Sequence, residues 1–346
     1  MDSLYRLLQS ILPLSYLHSL SLWYSKYHSP SPVPENIAID LWDTHFKSPI
    51  GAAAGITRNG KHLKGLMNLG FGFIEVGSVC PDREYGKNIE TLNENSVFQQ
   101  SRGSNLGITW TEMNLSGDST GPRGVNIYPS EQTLKILPGM IDEEYCYGVE
   151  TLYNYSDFIV LNISNTYHTS LDIYTNPEKL QELIQKVHKI RDREIGMQVA
   201  AALGMIKLDY TSRKLLVPIY VKIDADWEDW QGLIKVCKEE GIDGIVVAGT
   251  DKQGRAGEFI KEKATRLLTN LYKAGRESML FIYSGGIYSG KDVLDKLKQG
   301  ASLVEVYSCL ASQGPSSISR LNKELSDLLK QEHIETVSSI IGSNFK

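Results

Sequence analysis

Short apolar runs alternate with amphipathic stretches along most of the chain, and this alternation constrains the fold more than any other feature. The run Gly244-Ile245-Val246-Val247-Ala248 has no polar side chain, so both faces of the strand that it predicts are buried, as in a parallel sheet. The amphipathic stretches predict the helices that connect parallel strands. In a chain of 346 residues, eight such runs predict an α/β fold with a closed (β/α)8 TIM barrel. The runs begin near Ile50, Phe71, Arg123, Asp157, Val217, Gly244, Met279 and Ser302.

A proline-rich segment, residues 29–36, separates this barrel from a small N-terminal part. Three prolines in six residues predict a stiff, extended linker. We therefore expect N-terminal helices at 1–28, the linker at 29–36, the barrel at 37–330 and a C-terminal helical tail at 331–346. Residues 196–214 are predicted to be an insertion between the fourth and fifth strands. The clearest barrel helices are predicted at 177–192, 227–240, 258–274, 290–299 and 315–330.

Residues 3–24 are strongly apolar and aromatic, and Pro13 divides them into two short helices. Each helix is too short to cross a bilayer, which requires about 20 apolar residues. A helical pair in the membrane interface fits this pattern, with Trp23 and Tyr24 at headgroup depth. The alternative, to which we give equal weight, is that these helices pack on the barrel or on a partner subunit.

The charge and the cysteine content exclude several classes of function. The net charge is -5, so the chain lacks the basic footprint of a nucleic-acid-binding protein. The four cysteines form no CxxC pair, and the seven histidines form no HxxxH pair. We therefore expect a reducing compartment, no structural metal and no nucleic-acid partner.

Two glycine-rich segments near the end of the barrel predict a phosphate-binding corner. Ser284-Gly285-Gly286-Ile287 follows the seventh predicted strand, and the segment 300–308 contains the eighth. Loops after the last two strands of such barrels bind phosphate, and glycine lets backbone N–H groups approach the anion. Tight turns alone would also explain the two glycines.

Several blocks of the chain, taken together and in order, resemble dihydroorotate dehydrogenase from about Phe46 to Leu329. The first 24 residues resemble the paired helices of the quinone-linked, membrane-associated class of that family. The blocks that carry the resemblance are 53–55, 70–79, 124–127, 162–164, 221–223, 284–287 and 300–308.

The resemblance implies a barrel that holds FMN and oxidises dihydroorotate to orotate, through base-assisted proton removal and hydride transfer to the flavin. It also implies a mouth for ubiquinone between the N-terminal helices, where His18 matches a family histidine, and in eukaryotes a place on the mitochondrial inner membrane. The FMN positions carried over to this chain are Ala54, Gly55, Ser78, Asn126, Asn162, Lys222, Gly285, Gly286, Tyr307 and Ser308.

The chain departs from the family pattern where the chemistry is performed. The quinone-linked class has a serine base in an Asn-Ile-Ser-Ser-Pro-Asn-Thr block, and here Asn165 stands in the position of that serine. An amide does not accept a proton near neutral pH. Ser164 and His168 are the candidates for a relocated base. Tyr128 and Tyr283 replace smaller or basic family residues beside the flavin, and we expect their rings to fill the pocket.

We therefore expect a catalytically inactive barrel of this family, without bound cofactor, that acts as a structural or accessory subunit at the mitochondrial inner membrane. Its expected partners are other protein subunits of a membrane complex and the membrane surface, contacted through residues 3–24. Conservation of a packed core while polar site residues are exchanged is consistent with that role. The alternative is an active FMN-dependent dihydroorotate dehydrogenase (quinone) or a divergent FMN oxidoreductase.

Overall fold

A computed structural model describes residues 14–86, 89–93, 96–99, 104–118, 120–164, 168–208, 210 and 212–345. All eight predicted apolar runs form strands of one closed parallel barrel. The strands in chain order are β1 (Ile39–Leu41), β2 (Thr44–Phe46), β3 (Ile50–Ala52), β4 (Phe73–Val79), β5 (Ile89–Asn93), β6 (Ser96–Gln99), β7 (Arg123–Ile127), β8 (Phe158–Asn162), β9 (Ile219–Asp224), β10 (Gly244–Ala248), β11 (Arg255–Gly257), β12 (Leu280–Ser284) and β13 (Leu303–Val306).

Around the barrel the order is β3-β4-β7-β8-β9-β10-β12-β13, and β13 pairs with β3 to close it. Helices follow the barrel strands, so the predicted (β/α)8 barrel is confirmed. The α-helices of the described chain are α1 (Leu14–Tyr27), α2 (Leu63–Asn68), α3 (Ile108–Ser116), α4 (Glu131–Ile136), α5 (Ile141–Leu152), α6 (Pro177–Ala202), α7 (Trp230–Glu239), α8 (Glu258–Gly275), α9 (Gly290–Lys298), α10 (Ser308–Gln313), α11 (Ser316–Gln331) and α12 (Val337–Ile340).

Three aromatic rings fill the interior of the barrel near the N-terminal ends of its strands. The ring centroids of Phe73 and Phe158 lie 6.0 Å apart, and those of Phe158 and Tyr220 lie 5.9 Å apart. Each ring faces a glycine on the neighbouring strand, where a side chain would clash; a Cβ at Gly51 would come within 2.2 Å of the Phe73 ring. The other ring–glycine pairs are Phe158 with Gly124 and Tyr220 with Gly244.

The hairpin of β1 and β2 closes this end of the barrel. Trp42 packs edge-on against Tyr220 with 5.3 Å between ring centroids, and Phe46 packs against Phe73 at 5.7 Å. Burial of rings of this size contributes several kcal/mol to stability, of the order of 1.5–3 kcal/mol for each. The N-terminal end is therefore sealed by packed side chains, and polar chemistry is confined to the C-terminal ends of the strands.

Helix α6 is longer than the sequence pattern predicted. It begins at Pro177, where Asn176 accepts hydrogen bonds from the backbone N–H groups of Glu178 and Lys179, but it continues to Ala202 rather than ending at 192. The predicted insertion therefore begins as helix. Glu194 explains the continuation, because its buried carboxylate accepts a hydrogen bond from Asn154 at 2.9 Å and ties this part of the helix to the barrel.

Helix α1 packs against α2, α10 and β5. The fit is close, since a Cβ at Gly65 would lie 2.6 Å from the Ser25 hydroxyl. Its other side carries exposed aromatic rings, including Trp23 at 59% exposure and Tyr27. Within the described part of the chain, no helix combines the length and apolar character needed to cross a membrane.

The predicted linker lies against the barrel. Ser31 donates its backbone N–H to the Asn68 carbonyl at 2.8 Å, and the Asn68 amide donates to the His28 carbonyl at 3.1 Å. At the other end of the chain, the described part of the tail after α11, up to residue 345, contains α12 and a 3-10 turn at 343–345.

A second sheet, antiparallel and three-stranded, lies outside the barrel. It consists of the β5–β6 hairpin, from the loop after β4, and of β11, from the loop after β10. Arg255 pairs with Phe98 and Gly257 pairs with Ser96.

Candidate functional site

The ten residues predicted to hold FMN lie at the C-terminal end of the barrel, on seven consecutive strands, in the loops that directly follow them or, for Ser308, at the start of α10. The strands are β12, β13, β3, β4, β7, β8 and β9. This is the end at which active sites of (β/α)8 barrels lie. The sequence therefore identified one contiguous region, although its members are spread over 255 positions from Ala54 to Ser308.

A hydrogen-bonded chain of side chains runs across this region from β8 to β4. The Asn162 amide donates to Asn126 Oδ1 at 3.2 Å and to the Ser78 hydroxyl at 3.3 Å. The Asn126 amide in turn donates to Glu75 Oε1 at 2.7 Å. At the other end, the Ser164 hydroxyl donates to Asn162 Oδ1 at 2.6 Å. All five residues of the chain except Ser78 are more than nine-tenths buried.

The chain ends at a buried cluster of two carboxyl groups and one ammonium. Lys222 Nζ lies 2.5 Å from Glu75 Oε1 and 3.3 Å from Glu305 Oε2. Both glutamates are fully buried. Lys222 was predicted from the sequence; Glu75 and Glu305 were not, because a glutamate inside an apolar strand carries no motif that distinguishes it. The signal that was available is the inward position shared by Glu75 on β4 and Glu305 on β13.

One proton on the two carboxyl groups balances the charge of this cluster. Burial and the charge of Glu75 raise the pKa of Glu305 well above its usual range. Burial also opposes ionisation of Glu75, but the charge of Lys222 and hydrogen bonds from Glu305, Lys222 and Asn126 hold the pKa of Glu75 below its usual value. Burial lowers the pKa of Lys222, yet the two carboxyl groups outweigh it and the net shift is upward. The cluster therefore consists of a lysine cation, an ionised Glu75 and a protonated Glu305.

The predicted phosphate corner has the backbone that its glycines suggested. Gly285 and Gly286 adopt φ values of 99° and 64°, in the left-handed region where residues with a Cβ are strained. At the start of α10, which follows the adjoining strand β13, the Ser308 hydroxyl accepts a hydrogen bond from Tyr288 at 2.8 Å. Gly55, with a φ of 103°, lies against the ring of Tyr307, so a Cβ there would approach that ring to 3.0 Å.

A network of asparagines, which the sequence analysis missed, holds the loop before α3 over β3 and β4. The Asn105 amide donates to the Ser78 carbonyl at 2.6 Å. Asn105 Oδ1 accepts from the Gly107 N–H at 2.7 Å, and Asn59 Oδ1 accepts from the Leu106 N–H at 3.2 Å. The amide side chains thus satisfy buried loop backbone groups, which supports the Ser78 end of the site. Isolated asparagines in a polar loop gave no pattern by which to find them.

Tyr283 does not fill the pocket, so that prediction is wrong. Its ring lies beneath Lys296 Nζ, 4.8 Å from the ring centroid, and its hydroxyl is 3.5 Å from the Lys261 carbonyl. Both lysines belong to outer helices, so the Tyr283 ring lies on the outer face of β12. Because residues alternate between the two faces of a strand, the next residue, Ser284, faces inward. Tyr128, in contrast, does lie at the mouth of the barrel, with its hydroxyl 3.5 Å from the Ser164 carbonyl.

Two sequence predictions fall outside what the structure describes. Asn165, at the position of the family base, lies outside the described residues. His18 belongs to α1 by its backbone, but its side chain is outside the described set. The quinone-site prediction for His18 therefore stays a prediction.

The residues at the strand ends fit FMN, the cofactor that the family resemblance implies. Asn126 and Asn162 offer amide donors and acceptors, and Lys222 offers a cation, which together complement the alternating C=O and N–H groups of a flavin ring edge. Gly285 and Gly286 place no side chain of their own at the corner, so their backbone N–H groups can approach a phosphate closely. With Tyr283 on the outer face, its ring is no obstacle to a ligand.

Comparison with known proteins identifies the family of this chain. The family model for dihydroorotate dehydrogenase matches residues 36–329. A mitochondrial dihydroorotate dehydrogenase (quinone) of Oryza sativa is 27% identical over an alignment of 388 positions, which covers 97% of this chain and 78% of the rice protein. The corresponding mitochondrial protein of Mus musculus is 28% identical over 324 residues, which cover 86% of this chain and 77% of the mouse protein.

The fold is also similar to solved structures. The ligand-free dihydroorotate dehydrogenase of Eimeria tenella superimposes with a TM-score of 0.84 at 22% identity, and the superposition covers 96% of this chain and 99% of that one. A second structure of the Eimeria tenella enzyme, in complex with ferulenol, gives a TM-score of 0.85 at 23% identity. With its barrel, its strand-end residues and the family model all in agreement, this chain belongs to the dihydroorotate dehydrogenase family.

Proposed function

We propose that this chain does not oxidise dihydroorotate and that it serves as an accessory subunit at the mitochondrial inner membrane. The observation that carries the proposal is the state of the Ser164 hydroxyl, which directly precedes the position of the missing base in the sequence. Asn165 cannot accept the substrate proton, and the adjacent Ser164 donates its own hydroxyl proton to Asn162 Oδ1 at 2.6 Å in a buried position. A serine that acts as a base must be able to transfer its hydroxyl proton to another group. The amide oxygen of Asn162 accepts a hydrogen bond but is not basic enough to take the proton.

The relatives and α1 support the proposed location. The rice and mouse relatives are named as mitochondrial proteins. Exposed aromatic rings on α1, among them Trp23 and Tyr27, suit the polar–apolar boundary of a bilayer, and Lys26 lies over the Tyr27 ring on the same surface. Peripheral attachment through residues 3–24 and contact with other subunits of a membrane complex are consistent with these features.

A second candidate function, an FMN-dependent oxidoreductase, is favoured by a different observation. Lys222, Asn126 and Asn162 are preorganised by one connected set of hydrogen bonds, and the outward position of Tyr283 removes one of the two expected obstacles to a flavin. When bound, FMN would supply the hydride acceptor; the amides and the lysine of this chain would hold its ring edge, and Gly285 and Gly286 would accommodate its phosphate.

The visible absorption spectrum tests the two candidates. The full-length protein would be purified, incubated with FMN, desalted and then mixed with dihydroorotate under anaerobic conditions. The accessory-subunit proposal expects no bleaching of the flavin band by dihydroorotate, while dithionite bleaches whatever flavin is bound. A matched control is Gly286→Val, which places a β-branched residue at a φ of 64° and blocks the corner.

Each outcome decides between the candidates. Bleaching by dihydroorotate would overturn the proposal and establish an active enzyme. Flavin that dithionite reduces but dihydroorotate does not would support the absence of this activity and leave an oxidoreductase with another substrate open to a screen. If neither the wild type nor the Gly286→Val variant retains flavin, this result would support the accessory role and eliminate the second candidate.

A further inference from the structure

The outward face of α1 carries a row of aromatic rings that ends beside a lysine. Tyr16, Trp23 and Tyr27 are 65%, 59% and 67% exposed. Residues seven and eleven positions apart lie on nearly the same face of an α-helix, so the three rings form one aromatic stripe. Lys26, which is also exposed, borders the stripe at the C-terminal end of the helix. Leu17 is buried on the face that packs on the barrel, so the aromatic stripe points away from it.

Two more lysines lie close to Lys26. Gly65 of α2 lies against the residue that precedes Lys26 in α1, and Lys64 directly precedes Gly65. Burial and the charges of Lys26 and Lys61 lower the pKa of His62, so both ammonium groups lie near that imidazole ring. All three lysines are exposed. Lys26, Lys61 and Lys64 therefore form a basic cluster at the end of the aromatic stripe.

The segments that build this region contain no acidic side chain. Residues 3–34 and 44–74 hold six of the 36 Lys and Arg side chains of the chain and none of its 41 Asp and Glu side chains. Among the described residues, no carboxylate lies within 4.0 Å of the three ammonium groups of the basic cluster. The whole chain, in contrast, has a net charge of -5. The local positive charge therefore differs in sign from the rest of the protein and favours an anionic partner.

We propose that the basic cluster and the aromatic stripe together bind a bilayer surface that contains anionic phospholipids. Lysine ammonium groups attract anionic headgroups, and tryptophan and tyrosine rings settle at the boundary between the headgroups and the acyl chains. Neither feature alone selects a membrane, but rings along a surface helix next to a basic cluster are the pattern of an interfacial helix. The proposed surface depends on the membrane location proposed above and specifies the lipid that is bound.

The proposed surface extends beyond α1 to the barrel itself. Lys61 lies in the loop after β3, and Lys64 lies in α2, so both lysines are attached to the barrel. Because α1 packs against α2, the aromatic stripe and the basic cluster can contact one bilayer at the same time. Two linked sites bind a common surface more tightly than either site alone. Loss of the lysine charges is therefore expected to weaken attachment even though the rings remain.

Vesicle flotation of the full-length protein tests the proposal. Vesicles of phosphatidylcholine alone are compared with vesicles that also contain phosphatidylglycerol, which is anionic. The wild type is expected to bind the anionic vesicles more tightly and to lose this preference at high salt, because salt screens exposed charges. Lys26→Gln, Lys61→Gln and Lys64→Gln are each expected to weaken binding to anionic vesicles by about fivefold, and the triple variant by about 100-fold.

Two controls separate the charge of the basic cluster from other effects. The variant with Lys61→Arg and Lys64→Arg keeps both charges and is expected to bind as the wild type does. Lys235→Gln removes a lysine whose side chain is 74% exposed but which belongs to α7, after β9, on the side of the barrel opposite β3. It is also expected to bind as the wild type does. Circular dichroism and thermal melting would show that all variants stay folded, as expected for changes at exposed positions.

The outcomes distinguish this surface from membrane attachment in general. Binding that requires phosphatidylglycerol and is lost in the triple variant, but not in Lys235→Gln, would establish the surface. Equal binding of the wild type to both kinds of vesicle would overturn the anionic-lipid surface and leave the proposed membrane location intact. Lipid-dependent binding that persists in the triple variant would overturn the surface as well. A wild type that binds neither kind of vesicle would overturn both the surface and the proposed location.

Discussion

Replacement of Glu305 by glutamine tests the charge state of the buried cluster. Glutamine has the shape of a protonated glutamate and can still donate to the Glu75 carboxylate through its amide. At a pH where the folded and the unfolded wild type both carry the proton on Glu305, the substitution changes the free energy of unfolding very little. The two proteins differ only where the folded wild type holds a proton that its unfolded chain has lost.

The size of the effect follows from one proton. The pKa of Glu305 is raised in the folded protein, by burial and by the charge of Glu75, above its ordinary value of 4.5. Between 4.5 and the folded pKa, unfolding releases this proton, so the wild-type free energy of unfolding falls as the pH rises, by about 1.4 kcal/mol for each pH unit. Glu305→Gln lacks this term. Its stability relative to the wild type is therefore expected to increase as the pH rises above 4.5, by about 1.4 kcal/mol for each pH unit until the folded pKa is reached.

Urea denaturation at pH 5, 6 and 7, followed by tryptophan fluorescence, measures this difference. All other titrating groups are common to both proteins and cancel. Glu75→Gln is the control, because without Glu75 the carboxyl of Glu305 becomes the ionised partner of Lys222 and the pH dependence disappears. A difference between Glu305→Gln and wild type that stays constant from pH 5 to pH 7 would refute the assignment of the proton to Glu305.

Three further predictions concern other parts of the molecule. Lys222→Met leaves Glu75 buried without its cation and is expected to cost about 3–5 kcal/mol of unfolding free energy in urea titrations; adding Glu75→Gln to it should recover most of the loss. Ser289→Ala removes the capping box of α9, in which the Ser289 hydroxyl accepts from the Asp292 N–H, and is expected to lower stability by about 1 kcal/mol in thermal melts, with Ser116→Ala as an exposed serine control. Trp23→Ser is expected to weaken flotation with anionic lipid vesicles, whereas equal flotation of variant and wild type would argue against contact of α1 with the membrane.

The barrel could be predicted from the sequence because its strands are apolar on both faces. Gly244–Ala248 is the clearest example, and the structure places a central strand there. The end of α6 was missed because the anchors that extend the helix, such as the hydrogen bond between Glu194 and Asn154, join positions 40 residues apart. The local sequence pattern cannot predict such a contact between distant residues. Tertiary contacts of this kind decide where a helix of moderate propensity ends.

In the site, too, residues that belong to local motifs could be predicted, whereas residues whose role depends on distant contacts could not. Positions carried by motifs, such as Asn162 and Gly285, could be placed at the strand ends from the sequence. The direction of Tyr283 was missed because one residue along a strand reverses the face on which a side chain lies. Glu305 was missed because its role arises only when the barrel closes and brings β13 within reach of the Lys222 ammonium.

The three-stranded sheet outside the barrel has a mechanical consequence. Its strands come from the loops after β4 and β10, which lie on opposite sides of the barrel. The pairing of β6 with β11 therefore connects the two sides of the barrel opening. The two rims of the mouth are thereby coupled through backbone hydrogen bonds. A motion that widens the opening at one rim must displace the other rim or break the pairing. A molecule on its way to the strand ends must pass beside the paired strands β6 and β11.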